Sequence, residues 1–207
     1  SCTVFVNGIL VGTHAGGFDP FFFDITDALI ENEEQEIIVS VTDPTDTGNQ
    51  PVGKQTLNPF AIQYTAVAGI WQTVWLEPVP VSCIERSTTV TNIAESSVSV
   101  RCHISNASDT MSVIFTCSGN GSVLAQTESP IKQGQTETVL NISDLRLWCP
   151  SDPFLYDLQL QLIDSSGEVV DVVDSYFGAR EITCEPDQSG HQRLFLNGEP
   201  VFHLGLL

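Results

Sequence analysis

Seven short runs of β-favouring residues, most of them alternating apolar with polar, follow one another between Ser87 and Glu181, and turn residues separate them. They are STTVTNI, SSVSVRCHIS, MSVIFTCS, SVLAQTE, TETVLNI, YDLQLQLID and EVVDVVDSYFGARE. Alternation with period two puts successive side chains on opposite faces of a strand, whereas a helix needs a period near 3.6. The run from Asp157 to Leu162 alternates Leu with polar residues at every step, so its leucines face a core and its partners face water. Seven such strands in about a hundred residues predict an immunoglobulin-like β-sandwich.

The residues before this block are also β in character. Val4-Phe5-Val6, Asn7-Gly8 and Ile9-Leu10-Val11 read as a hairpin, because Asn and Gly tolerate the positive φ of a type I′ turn. Residues 36–42 read as a further strand, and residues 43–55, rich in Pro, Gly, Asp and Asn, as a loop. The run GIWQTVWL, residues 69–76, reads as a strand buried on both faces, with Trp71 and Trp75 packed in a core. Pro78 and Pro80 break the ladder and mark a junction. Trp148, ahead of Pro150, reads as a cap on the sandwich. A second Asn-Gly hairpin, at Asn197-Gly198, closes the sequence, and an apolar run continues to Leu207. Strands at both ends lack visible partners, so the expectation is that chain before Ser1 and after Leu207 completes them.

The charge narrows the partners. Seven Lys and Arg stand against 26 Asp and Glu, a net charge of −19, which excludes phosphate-binding surfaces and with them nucleic acid. No run of 18 or more apolar residues offers a membrane span. The six cysteines form no C-x-x-C pair and no histidines stand at zinc spacing, so no metal site is expected; well-separated cysteines suit disulfides, without specifying their pairing. Three sequons, at Asn106, Asn120 and Asn141, fit glycosylation of a secreted or extracellular protein. No nucleophile elbow is present, and the glycines at 48–53 lack the strand-to-helix setting of a phosphate loop, so no cofactor is expected. The pairs Asp24/Asp27 and Asp171/Asp174 read as solvated turn and edge carboxylates.

The order of several stretches resembles glycoside hydrolase family 2, the β-galactosidase, β-glucuronidase and β-mannosidase group. They are Val6-Asn7-Gly8, Gly16-Gly17-Phe18 and FDIT at 23–26, then VTDPTDTGNQPVGKQ and GIWQTVWLEPV, then LWCPSDPFLYDLQLQL, FGAREI and FLNGEPVFHLGLL. The resemblance implies an all-β chain in three parts. Residues 1–80 would be the C-terminal part of a jelly-roll (galactose-binding-like) sandwich. Residues 81–184 would be the immunoglobulin-like sandwich, and 185–207 a hairpin leading into a TIM barrel beyond Leu207.

In that family two glutamates of the barrel perform retaining hydrolysis of O-glycosidic bonds, about 5–5.5 Å apart. No catalytic residue is therefore assigned to this chain. The loop ahead of GIW, residues 58–71, contacts substrate in some members, which implies a substrate-facing role for Gln63 and Tyr64, with Lys54 and Gln55 just before it as the remaining polar candidates. Gln63 and Ala66 stand where many relatives carry Trp and Arg, and Val52 where they carry Arg. Two readings follow. One is the non-catalytic, sugar-binding and bracing portion of a secreted, β-galactosidase-like glycosidase, whose partners are a glycoside and the barrel of the same chain. The other is an inactive family 2-like scaffold that serves as an extracellular structural or interaction module, with another protein chain as partner.

Overall fold

The computed structural model describes residues 1–205, and its regular structure is almost wholly β. The expectation placed on the last apolar residues, Leu206 and Leu207, lies outside the described residues. Two units divide the chain, one spanning Ser1–Leu76 and the other beginning at Glu77.

The first unit is built on β1 (Cys2–Val6), β2 (Ile9–His14) and β3 (Ile37–Val41), antiparallel in the order β2-β1-β3. Asn7 (φ 49°) and Gly8 (φ 78°) both take positive φ, as a two-residue hairpin turn requires. Asn7 also ties β3 to the turn. Its backbone N–H donates to the Glu36 carbonyl at 2.9 Å, and its side-chain oxygen accepts from the Glu36 N–H at 2.9 Å. Its amide donates to the Ala28 carbonyl at 2.8 Å and to Gln35 Oε1 at 2.7 Å. A short parallel ladder joins β4 (Gln55–Thr56) to β5 (Tyr64–Thr65).

The GIWQTVWL run departs from the expectation of a doubly buried strand. No ladder includes it, and Trp71 and Trp75 are 66% and 69% exposed. A strand is stabilised by cross-strand pairs rather than by intrinsic backbone preference, and no strand of this unit pairs with the run. Trp71 is held instead through its indole N–H, which donates to the Gly17 carbonyl at 2.7 Å, with the Phe18 ring edge-on at 6.4 Å.

In the second unit all seven runs become strands: β6 (Cys83–Asn92), β7 (Ser97–Ser105), β8 (Ser112–Gly119), β9 (Ser122–Pro130), β10 (Gln135–Asn141), β11 (Tyr156–Ile163) and β12 (Val169–Phe177). They form two antiparallel sheets, β10-β7-β6 and β12-β11-β8-β9. The chain changes sheet three times, after β7, β9 and β10, as the crossovers of an immunoglobulin-like sandwich require. Val98 and Val100 from one sheet and Val113, Phe115, Leu158, Leu160 and Leu162 from the other form the core, each almost fully buried. Burial of these aliphatic and aromatic groups is the main stabilising term.

One end of the sandwich is closed by aromatic stacking. The Tyr156 ring stacks on Phe177 at 5.2 Å and meets Phe154 edge-on at 4.8 Å, and its hydroxyl accepts from the Arg146 N–H at 2.7 Å. Trp148 is half-buried there. It lies against Gly178, where an added Cβ would meet the indole at 3.0 Å, and the Arg180 guanidinium stands over its ring at 4.9 Å.

The chain then forms β13 (Ile182–Pro186), β14 (Gln192–Leu196) and β15 (Glu199–Pro200), with Asn197-Gly198 as the turn between the last two. Asn197 repeats the device of Asn7. Its side-chain oxygen accepts from the Glu181 N–H, and its amide donates to the Trp148 carbonyl, each at 3.0 Å.

The disulfides expected from six cysteines are not formed; Cys2, Cys83, Cys102, Cys117, Cys149 and Cys184 are all free thiols. The alternating pattern accounts for two of them. Cys102 and Cys117 occupy inward positions of β7 and β8 and pack as small apolar side chains. Burial pushes their pKa up to about 12 and about 11, so neither offers a thiolate at neutral pH.

Candidate functional site

The loop over residues 54–67 carries the four residues singled out as substrate-facing, and the parallel ladder draws them together. Gln55 on β4 stands in register with Tyr64 on β5, and the Tyr64 N–H donates to the Lys54 carbonyl at 2.8 Å. The side-chain oxygen of Gln55 accepts from the Val67 N–H at 3.3 Å, and that of Gln63 accepts from the Phe60 N–H at 3.2 Å. Both glutamines thus spend their acceptors on the loop's own backbone and leave their amide N–H groups to solvent. All four residues are exposed.

Two properties of this loop emerge only when the strands are paired. The first is an apolar rim: Phe60, Ile62 and Val67 are 81%, 75% and 66% exposed around Tyr64. Sequence alone marked Tyr64 but gave no reason to single out Phe60, since an aromatic in an irregular loop carries no periodic signal. The second is charge. Lys54 is the only Lys or Arg in residues 1–76, so the unit's one basic side chain sits on this loop. An ammonium, two carboxamides and a phenol beside an aromatic rim can hydrogen-bond hydroxyls and stack on a sugar ring. The four contain no carboxylate pair and no activated nucleophile, so they offer contacts rather than chemistry.

The three sequon asparagines lie on the second unit, all exposed. Asn106 (φ 49°) sits in the turn after β7, with its amide donating to the Val81 carbonyl at 2.9 Å. Asn120 (φ 50°) and Gly121 (φ 76°) form the β8–β9 turn, and Asn141 ends β10. Among the described residues no group of three or more His, Cys, Asp or Glu side chains is placed to hold a metal ion, and no helix is long and apolar enough to cross a membrane.

Residues 84–180 match the family described as glycosyl hydrolases family 2. A β-galactosidase of Thermoanaerobacter pseudethanolicus is 29% identical over 98% of this chain and 27% of its own length. A β-glucuronidase of Paenibacillus borealis is 25% identical over 98% of this chain and 34% of its own. Among solved structures, a family 2 member from Bacteroides cellulosilyticus superposes with a TM-score of 0.74 at 21% identity, covering 96% of this chain and 27% of that one. A β-glucuronidase from Ruminococcus gnavus gives 0.75 at 20% identity, over 97% and 34%. At such identities the structural likeness speaks for the fold alone. The chain spans 27% to 34% of the length of these relatives.

Proposed function

We propose, from the premise that this chain belongs to glycosyl hydrolases family 2, that its parent protein hydrolyses O-glycosidic bonds with retention, in the manner of a β-galactosidase. The chain itself is a non-catalytic portion of such a glycosidase. The observation that carries the proposal is the extent of the match: nearly the whole chain aligns with β-galactosidase and β-glucuronidase relatives, yet it fills only 27% and 34% of them. Retaining hydrolysis needs a nucleophilic carboxylate and an acid/base carboxylate about 5–5.5 Å apart. In this reading both belong to the rest of the parent chain, and the residues in hand brace that part and line one side of its pocket.

Lys54, Gln55, Gln63 and Tyr64 then contact the glycoside away from the breaking bond. Contacts of that kind are equally strong in the ground state and the transition state, so they govern KM rather than kcat. Each lost hydrogen bond costs about 0.5–1.5 kcal/mol. Combined replacement Gln55→Ala, Gln63→Ala and Tyr64→Ala in the full-length protein therefore raises KM for an aryl glycoside by about tenfold or more, with kcat within about twofold. Steady-state kinetics on nitrophenyl β-galactoside and β-glucuronide checks this; an unchanged KM removes the loop from the substrate site. The absence of turnover on any aryl glycoside would favour the second reading, a family 2-like scaffold. That reading draws on Val52, Gln63 and Ala66, which supply neither the indole nor the guanidinium groups for which many relatives are recognised.

The exposure of Asn106, Asn120 and Asn141 supports a secreted, N-glycosylated protein. Peptide mass spectrometry of protein from its native source, before and after enzymatic deglycosylation, is expected to find glycan on these asparagines. Three unmodified sequon peptides would overturn the glycosylated reading.

A further inference from the structure

The chain contains three Asn-Gly pairs, at 7–8, 120–121 and 197–198, and all three form the same two-residue turn. Asn7, Asn120 and Asn197 take φ of 49°, 50° and 52°, and the glycines that follow them 78°, 76° and 80°. The residues flanking each turn pair directly: Val6 with Ile9, Gly119 with Ser122 and Leu196 with Glu199. Dipeptide and backbone are thus matched, and the three turns differ in what holds the asparagine.

Asn7 and Asn197 are half-buried and anchored beyond their turns. Their backbone N–H groups donate to the Glu36 and Glu181 carbonyls, each at 2.9 Å, and their side-chain oxygens accept from the N–H groups of the same two residues. The Asn7 amide donates to Ala28 and Gln35, and the Asn197 amide to Trp148. Asn120 is exposed, and among the described residues nothing outside its turn hydrogen-bonds to it. Its turn joins β8 to β9, and β9 is an edge strand. A loop tip held only by its own hairpin opens locally at low cost.

That freedom has a chemical consequence. Glycine has no Cβ to shield its N–H from the preceding side chain. The Gly121 nitrogen can therefore attack the side-chain carbonyl carbon of Asn120. The new C–N bond closes a five-membered imide. The bond from that carbon to Nδ2 breaks, and the amide nitrogen leaves as ammonia, taking the proton of the Gly121 N–H. Water then opens the imide at either carbonyl, which leaves aspartate or isoaspartate. The same attack at Asn7 or Asn197 requires the side chain to swing off its partners first.

We propose that Asn120 is a deamidation site of this protein and that the fold protects the other two Asn-Gly pairs. Conversion adds a negative charge at the tip of the β8–β9 hairpin, and isoaspartate lengthens the backbone of a turn built for two residues. The nitrogen that leaves is the one an N-linked glycan occupies, so each modification of Asn120 excludes the other. The site stands independently of any hydrolytic activity of the parent.

The test incubates the full-length protein, expressed without glycans, in mildly alkaline buffer, folded in one series and in guanidinium in another. Peptide mass spectrometry follows the conversion of amide to acid at each Asn-Gly pair. In guanidinium the three pairs are expected to react at similar rates. In the folded protein Asn120 reacts about thirtyfold faster than Asn197 and about a hundredfold faster than Asn7, the effect of two and of three side-chain hydrogen bonds. The proposal is overturned if Asn7 or Asn197 reacts as fast as Asn120 in the folded protein. It is equally overturned if Asn120 stays intact there over the time in which the unfolded chain has reacted at all three.

Discussion

Phe115→Ala is expected to destabilise the second unit by about 3–5 kcal/mol, the range for deleting a fully buried aromatic ring. Phe115 has no exposed surface. It sits on β8 between Leu160 of β11 and Thr127 of β9, with Val113 and Cys117 beside it on the same inward face. Truncation removes the ring's transfer free energy and leaves a cavity that antiparallel sheets tied on both sides cannot collapse. For a domain of this size the loss corresponds to about 10–20 °C in Tm. Thermal unfolding followed by far-UV circular dichroism measures it, and Phe115→Leu, which keeps most of the volume, is expected to lose less than half as much. A Tm change under about 3 °C for Phe115→Ala would show that the two sheets do not close around this ring.

The second large effect belongs to Asn7. Asn7→Ala removes three side-chain hydrogen bonds, from the Glu36 N–H and to Ala28 and Gln35. It also puts a Cβ-bearing residue without a local polar group at φ 49°. Lost hydrogen bonds cost about 0.5–1.5 kcal/mol each, and the left-handed conformation adds roughly 1 kcal/mol. The expected total is about 2.5–5.5 kcal/mol for the first unit. Asn7→Gly separates the two causes, because glycine takes the turn without strain but restores none of the bonds. If Asn7→Gly matches the parent in denaturant unfolding while Asn7→Ala does not, the side-chain bonds contribute little and the turn conformation is the whole effect. Equal losses in both variants would assign the effect to the bonds.

The second unit was legible because its signal is local and redundant. Each of its seven strands carries its own β-favouring residues and, for the most part, alternation, and a strand whose one face is buried leaves little freedom of register. Leu158, Leu160 and Leu162 declared their face before any partner was known, and the core confirms it. The Asn-Gly turns were equally plain, since few dipeptides accept two positive φ values in succession. The GIWQTVWL run was misread for the opposite reason. Its β-branched and aromatic content expresses a preference, but pairing and burial depend on residues elsewhere, and none of this unit supplies them.

The site divides along the same line. Lys54, Gln55, Gln63 and Tyr64 came from the order of motifs, while their convergence depends on a two-residue parallel ladder too short to leave any periodic trace. The six cysteines invited a disulfide framework, yet two of them are core side chains, a difference that burial alone makes. The difference among the three Asn-Gly pairs was invisible in one dimension. Asn120 reads like Asn7 and Asn197 until the fold anchors those two beyond their turns.

The sequence by itself determined the all-β class, the seven-strand sandwich, the two hairpin turns and the resemblance to a glycosidase family, because alternation, turn chemistry and motif order are properties of neighbouring residues. Only the tertiary structure decided which tryptophans are exposed, which thiols are buried, what Asn7 and Asn197 tie together and why Asn120 stands free. Those outcomes depend on which distant backbone hydrogen-bonds to which, and no local pattern encodes that partner.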